Sequence, residues 1–403
     1  MSNPGPDKLR AAISLPSGFK FGEVLPTPKT SGAASAPPSL GPLAAFVGNW
    51  AGSGFNTIFR PDNAQTPTVL PIPVSSDNIL ELNLTSESLS FSPSLGSVPN
   101  RGTTPQGDIF LNGVPYLQAI SDVTTPGQST GIHVEPGLWV VVPSTTDPAE
   151  GQTVVRMASI PHGTTIQAQG TSTTINGAPT IPPVDITPFL TGQPDTPPNQ
   201  IRFASQTASA PGTPRIPQDL TTFISNGSIT QAMLDDPNTL LRNHISQQRI
   251  VSTIQISIDT NPDALLFGGG TDNIAFLQGA APPSPTAATA NPNPNHPNAQ
   301  TLQMTATFWI ETVEHTIVVP IFKPGQPPLL IKAEAKVPGQ PVPTFSVRPP
   351  VEITVPRTIT FTSTQIQYSQ LVMLNFNGLT WPHVSVATLV PADAVAVPPS
   401  AWL

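Results

Sequence analysis

From Leu43 onward, short apolar runs recur every ten to twenty residues and are broken by Gly, Pro and Asn, the rhythm of an antiparallel all-β chain. The run from Ile79 to Phe91 sets Leu80, Leu82 and Leu84 against Glu81, Asn83 and Thr85, the alternation of a strand with one buried face. Similar runs predict strands at 108–123, 132–142, 153–160, 164–169 and 250–259, and again at 302–313, 316–322, 329–335, 359–376 and 383–390. Each strand needs partners for its backbone groups, and a closed barrel supplies them without leaving an exposed edge.

The pattern lapses in four places. Residues 1–39 repeat Pro, Ser, Gly and Lys without a period and are expected to form a flexible arm. Residues 217–248 space Leu220, Phe223, Ile229, Met233, Leu240, Leu241 and Ile245 irregularly, with breaks at Gly227 and Pro237, so two short helices are expected. Residues 280–299 are low in complexity and read as a loop. The tail, 391–403, is too poor in apolar residues to form a core element, and its Trp402 is expected to dock on a neighbouring surface, in cis or on another subunit.

Composition narrows the function. With 53 Pro and 29 Gly in 403 residues, helix bundles and coiled coils are excluded, while 10% charged residues is the opposite of the polyelectrolyte signature of disorder. The net charge is −8, and the 16 Lys and Arg are scattered singly, which argues against nucleic acid as a partner. The chain has 0 Cys, which rules out disulfides, iron–sulfur clusters and a cysteine nucleophile. An apolar signal core is missing from the first twenty residues, and no apolar window is long enough to span a bilayer. A soluble, cytoplasmic protein without a Sec signal peptide or a membrane span is expected. Gly268-Gly269-Gly270-Thr271 lacks the ending of a phosphate loop, and the six histidines show no zinc-enzyme spacing.

Several short motifs recur in a telling order: VGNWAGSGFNTIF at 47–59, LNGVPYLQAISDVT from Leu111, GIHVEPGLWVVVP from Gly131, VVRMASIPHGTTIQAQG from Val154, and IQYSQLVMLNFNGLTWPHVSVATL near the C-terminus. Together they resemble nitrobindin, a ten-stranded haem-binding β-barrel related in shape to fatty-acid-binding proteins. Tyr116 and Gln118, then His133, Glu135 and Gly137, then Pro161 and Gly163, and finally His383 match its successive motifs. The resemblance covers 41–60, 108–170 and 360–390. It departs from the family at Leu138 and Val390, and the stretch 171–345 has no counterpart. It implies an antiparallel calycin-like barrel over 40–390, interrupted by a large inserted region at 171–345 with extra strands and one or two short helices.

The same resemblance implies haem b, with His383 as the axial ligand of ferric iron, His133 lining the cavity and Met373 close to the ring. The open iron position would take NO, peroxynitrite or peroxide, with peroxynitrite-isomerase-like activity. The residues themselves show His383 after Trp381-Pro382, sharing a strand face with Ser385, Ala387 and Leu389, where small neighbours leave room for a flat ligand. His133 shares its face with Glu135, as a polar pair on the distal side of a cavity would. Two alternatives stand beside haem. One is a haem-free barrel around an apolar small molecule whose polar end is oriented by His133, Glu135 and Tyr116. The other is a structural or assembly protein, for which the low charge and the Thr-, Asn- and Pro-rich surface would suit a packed assembly or coat, a homo-oligomer among them.

Overall fold

The structure is a computed structural model that describes residues 38–102, 105–147, 149–260, 271–272 and 299–403. Most of the expected arm, the low-complexity loop up to residue 298 and Gly268–Gly270 lie outside the described residues. Ten strands form the body: β1 (Gly48–Pro61), β2 (Asn78–Phe91), β3 (Ile109–Asp122), β4 (Thr130–Val142), β5 (Thr153–Ser159), β6 (Thr164–Asn176), β7 (Arg249–Asp259), β8 (Gln300–Val319), β9 (Arg357–Phe376) and β10 (Leu379–Pro391). Each pairs antiparallel with the next in the chain. Strand β10 then returns to β1, with Gly54 opposite Ala387 and Trp50 opposite Pro391, so the sheet closes into an up-and-down β-barrel. A Cβ at Gly54 would lie 2.2 Å from the Val386 carbonyl oxygen, and glycine is what lets the two strands meet there.

One end is plugged from within. The 3-10 turn Gly41–Phe46 inserts Phe46, which stacks on Phe91 at 4.7 Å between ring centroids and meets Trp139 and Phe308 edge-on. Trp50 joins this cluster and donates its indole N–H to the Phe46 carbonyl at 2.7 Å.

The range 171–345 is not a wholly separate insertion, because β7 and β8 within it are two of the ten barrel strands. The segment between β6 and β7 instead wraps the outside. Its Ile181, Ile186, Leu220, Ile229, Met233, Leu234 and Leu241 bury Phe55 and Phe59 of β1, Leu80 and Leu82 of β2, and Val384 and Val386 of β10. Leu80, Leu82 and Leu84 of β2 therefore face outward under this wrap, and Glu81 and Asn83 between them face the lumen. Gly227, in the left-handed region at φ 73°, and Pro237 divide the wrap into three helices rather than the expected two: α1 (Thr221–Asn226), α2 (Gln231–Asp235) and α3 (Thr239–Ile245).

The two predicted strands at 302–313 and 316–322 are one strand, β8, whose far end runs with β9 beyond their other neighbours. There Ile317, Val319, Ile359 and Phe361 pack on a small sheet made by Leu329–Lys332, Thr344–Val347 and Val395–Ala396. The tail docks in cis on this lobe, with the Arg357 guanidinium 5.9 Å from the Trp402 ring and donating to the Trp402 carbonyl at 3.1 Å. Among the described residues, no helix is long and apolar enough to cross a membrane.

Candidate functional site

Above the aromatic plug lies an ionic layer. Arg156, inward-facing on β5 and fully buried, sets its guanidinium 5.5 Å from the centroid of Phe308 and 5.8 Å from that of Trp139. Its Nη2 donates to Glu135 Oε1 at 2.6 Å, its Nε to the Tyr116 hydroxyl at 2.9 Å and its Nη1 to Gln370 Oε1 at 2.8 Å. The Tyr116 hydroxyl also hydrogen-bonds the Glu135 carboxylate. Tyr116 lies directly over Gly137, its cross-strand partner, where a Cβ would come within 2.4 Å of the Tyr116 ring. Burial alone would raise the Glu135 pKa, but the Arg156 charge, followed by the His133 hydrogen bond, outweighs it and holds the carboxyl at about 2. A second carboxyl, Glu87, accepts from the Tyr368 hydroxyl at 2.6 Å, Thr85 Oγ1 at 2.8 Å and Gln118 Nε2 at 3.4 Å. Burial raises its pKa against these bonds.

Among the described residues, no side chain fills the lumen above this layer. A cavity of about 360 Å³ opens between Ile58, Ile120, Ile132, Ile160, Val372 and Leu374, with His133, His162, His383, Asn56, Gln370 and Ser385 among its polar lining. His383 Nε2 lies 2.8 Å from Asn56 Nδ2, and the same amide nitrogen donates to Ser385 Oγ at 2.8 Å. The Asn56 oxygen is occupied by Asn83 Nδ2 at 3.2 Å, so in this arrangement His383 Nε2 accepts and its hydrogen sits on Nδ1. Burial, reinforced by His133 and His162, lowers the His383 pKa to about 4 and keeps the ring neutral, and the partly buried side chain lines the cavity.

A register shift at Ile120/Ser121 precedes His133, after which alternation runs regularly, and His133 and Glu135 share the inward face as expected. His133 Nε2 lies 3.2 Å from Glu135 Oε2. The His162 ring, in the turn between β5 and β6, stands edge-on to His133 at 5.3 Å.

The structure thus brings His383 and His133 to one cavity. It places Tyr116 and Glu135 beneath the lining, in the Arg156 layer, so neither forms the wall against which a ligand's polar end would rest. Met373 sits between the lining residues Val372 and Leu374, and strand alternation sends it to the outer face; closeness to a ring in this cavity is ruled out by parity. His244, on α3, is buried with Nδ1 2.9 Å from Thr388 Oγ1. His315 packs in the distal lobe, edge-on to Phe345. Arg156, Asn56, Gln370 and Glu87 escaped sequence reasoning. The available signal was a lone arginine between inward Val154 and Ala158, a charge on an apolar strand face that demands a buried partner.

A larger depression of about 640 Å³ lies outside the barrel between Pro71-Ile72, 208–212 and α1. The arginine at its base, Arg215, spends its guanidinium on the backbone carbonyls of Ser205, Thr207, Ala208, Ala210, Pro217 and Gln218. Among the described residues, no cluster of three or more His, Asp or Glu side chains is arranged to hold a metal ion. The chain matches no protein-family model, no curated protein and no solved structure.

Proposed function

We propose that this barrel binds a small organic molecule in its lumen. The observation that carries the reading is the unfilled cavity of about 360 Å³ at one end of a barrel whose other end is packed with aromatic side chains. Isoleucine, valine and leucine side chains supply an apolar wall, and a few polar groups supply orientation. An environment-sensitive apolar dye should bind with enhanced fluorescence. Ile120→Trp, which fills the lumen, should abolish the signal while far-UV circular dichroism stays unchanged. An equal signal from that variant would place the dye outside the barrel and overturn the reading.

The resemblance to nitrobindins supports a second reading, in which the ligand is ferric haem and the chemistry concerns NO, peroxynitrite or peroxide at the iron. It is favoured by the convergence of His383 and His133 on one cavity. Against it stands the Asn56 amide, which occupies the His383 nitrogen lone pair, so the site as arranged does not fit an iron-bound histidine. Haem titration followed by desalting separates the readings. A Soret band that persists in the wild type, is strengthened by Asn56→Ala and is lost in His383→Ala would establish haem. A band that washes out of the wild type would leave the haem-free barrel.

A further inference from the structure

We infer that the ligand's polar end is a hydrogen-bond-accepting oxygen, a carbonyl or carboxylate, held by Gln370, Ser385 and His383. The inference rests on the reading of the cavity as a small-molecule site. Gln370 and Ser385 are direct cross-strand partners on β9 and β10, and His383 lies two residues before Ser385 on the same inward face.

The orientation of each group follows from what lies behind it. Arg156 can only donate, so its bond to Gln370 Oε1 fixes the amide oxygen downward and leaves both Nε2 hydrogens for the cavity. Ser385 Oγ accepts from Asn56, which leaves the Ser385 hydroxyl hydrogen to give. His383 accepts at Nε2, which leaves its Nδ1–H. Three neighbouring donors therefore share one wall, and none has a protein acceptor among the described residues. Two ion pairs border the cavity, Arg156 with Glu135 below this wall and Arg60 with the lining carboxylate Glu81 on another wall, and each cation is neutralised by its partner. The wall thus favours an oxygen through directed donors, and it offers nothing to an ammonium group. Asn83 and Gln118, on β2 and β3, can present amide oxygens from other walls to a second group such as a hydroxyl.

The test is calorimetric titration with three probes of equal chain length: methyl decanoate, decanoate and decylamine. The ester and the acid should bind, the ratio between them distinguishing a carbonyl from a carboxylate, and the amine should be weaker by about tenfold or more, the worth of one well-made hydrogen bond. Gln370→Glu keeps an oxygen for Arg156 but replaces two donors with an acceptor. It should weaken the ester and the acid by about tenfold and narrow or invert the gap to the amine. Ser385→Ala should act in the same direction with a smaller effect, and it carries the test if Gln370→Glu does not fold. Amine binding as tight as ester binding, or an ester-to-amine ratio unmoved by either substitution, would overturn the inference while leaving the cavity reading intact. Failure of all three probes would overturn both.

Discussion

Glu311 shows what burial does to a carboxyl that lacks a cation. It sits on the outer face of β8 beneath the wrap, with Oε2 accepting from Gln365 Nε2 at 2.7 Å and Oε1 without a hydrogen-bond partner. Burial raises its pKa from 4.5 to about 8. A raised carboxyl pKa means that the folded state holds the proton more tightly than the unfolded chain does. The stabilising protonated form is present in full below pH 4.5, and stability falls as pH climbs to about 8. Glu311→Gln keeps the shape and removes the titration. It should stabilise the fold at pH 8 and not at pH 4, by no more than about 5 kcal/mol at one pKa unit per 1.36 kcal/mol, and so raise the melting temperature at pH 8 alone. Thermal melts of both proteins across this range check it. Glu135 is the opposite case, with a neighbouring cation and a pKa held at about 2. Arg156→Met would strand that carboxylate and should cost about 3–5 kcal/mol in denaturant unfolding, whereas adding Glu135→Leu to it should recover most of the loss.

At the scale of elements, periodicity was legible and sidedness was not. Alternation in β2 correctly marked a strand, but Leu80, Leu82 and Leu84 pack against the wrap and Glu81 and Asn83 line the lumen. A period of two cannot say which face is the cavity when an outer layer buries the other. The same blindness hid β7 and β8 inside an apparent insertion, because a wrap of seventy-odd residues separates them from the motifs of the earlier strands. The helix breaks at Gly227 and Pro237 were visible, and the short turn between them that became α2 was too brief to show a period. Leu82→Ala should leave a void between wrap and barrel at a cost of about 2–4 kcal/mol. Hydrogen exchange in α2 and α3 should quicken in that variant, while probe binding in the lumen stays unchanged.

For the whole molecule, a closed barrel could be expected because every strand needs partners on both edges, and the glycine-rich first and histidine-bearing last strands do meet at its seam. The resemblance put His133 and His383 at a cavity, and sequence parity added only which neighbours share their faces. The donor wall could not, since it depends on hydrogen bonds between residues as far apart as Arg156 and Gln370, 214 positions along the chain. The central claim is that a ligand enters the lumen rather than the outer depression. Methyl resonances of a selectively labelled sample, followed during titration with methyl decanoate, test it directly. Ile58, Ile120, Val372 and Leu374 should shift together and saturate, and Leu82, Val384 and Val386 on the outer face should stay fixed. Shifts confined to Ile72 and Ile224, beside the outer depression, would contradict the account.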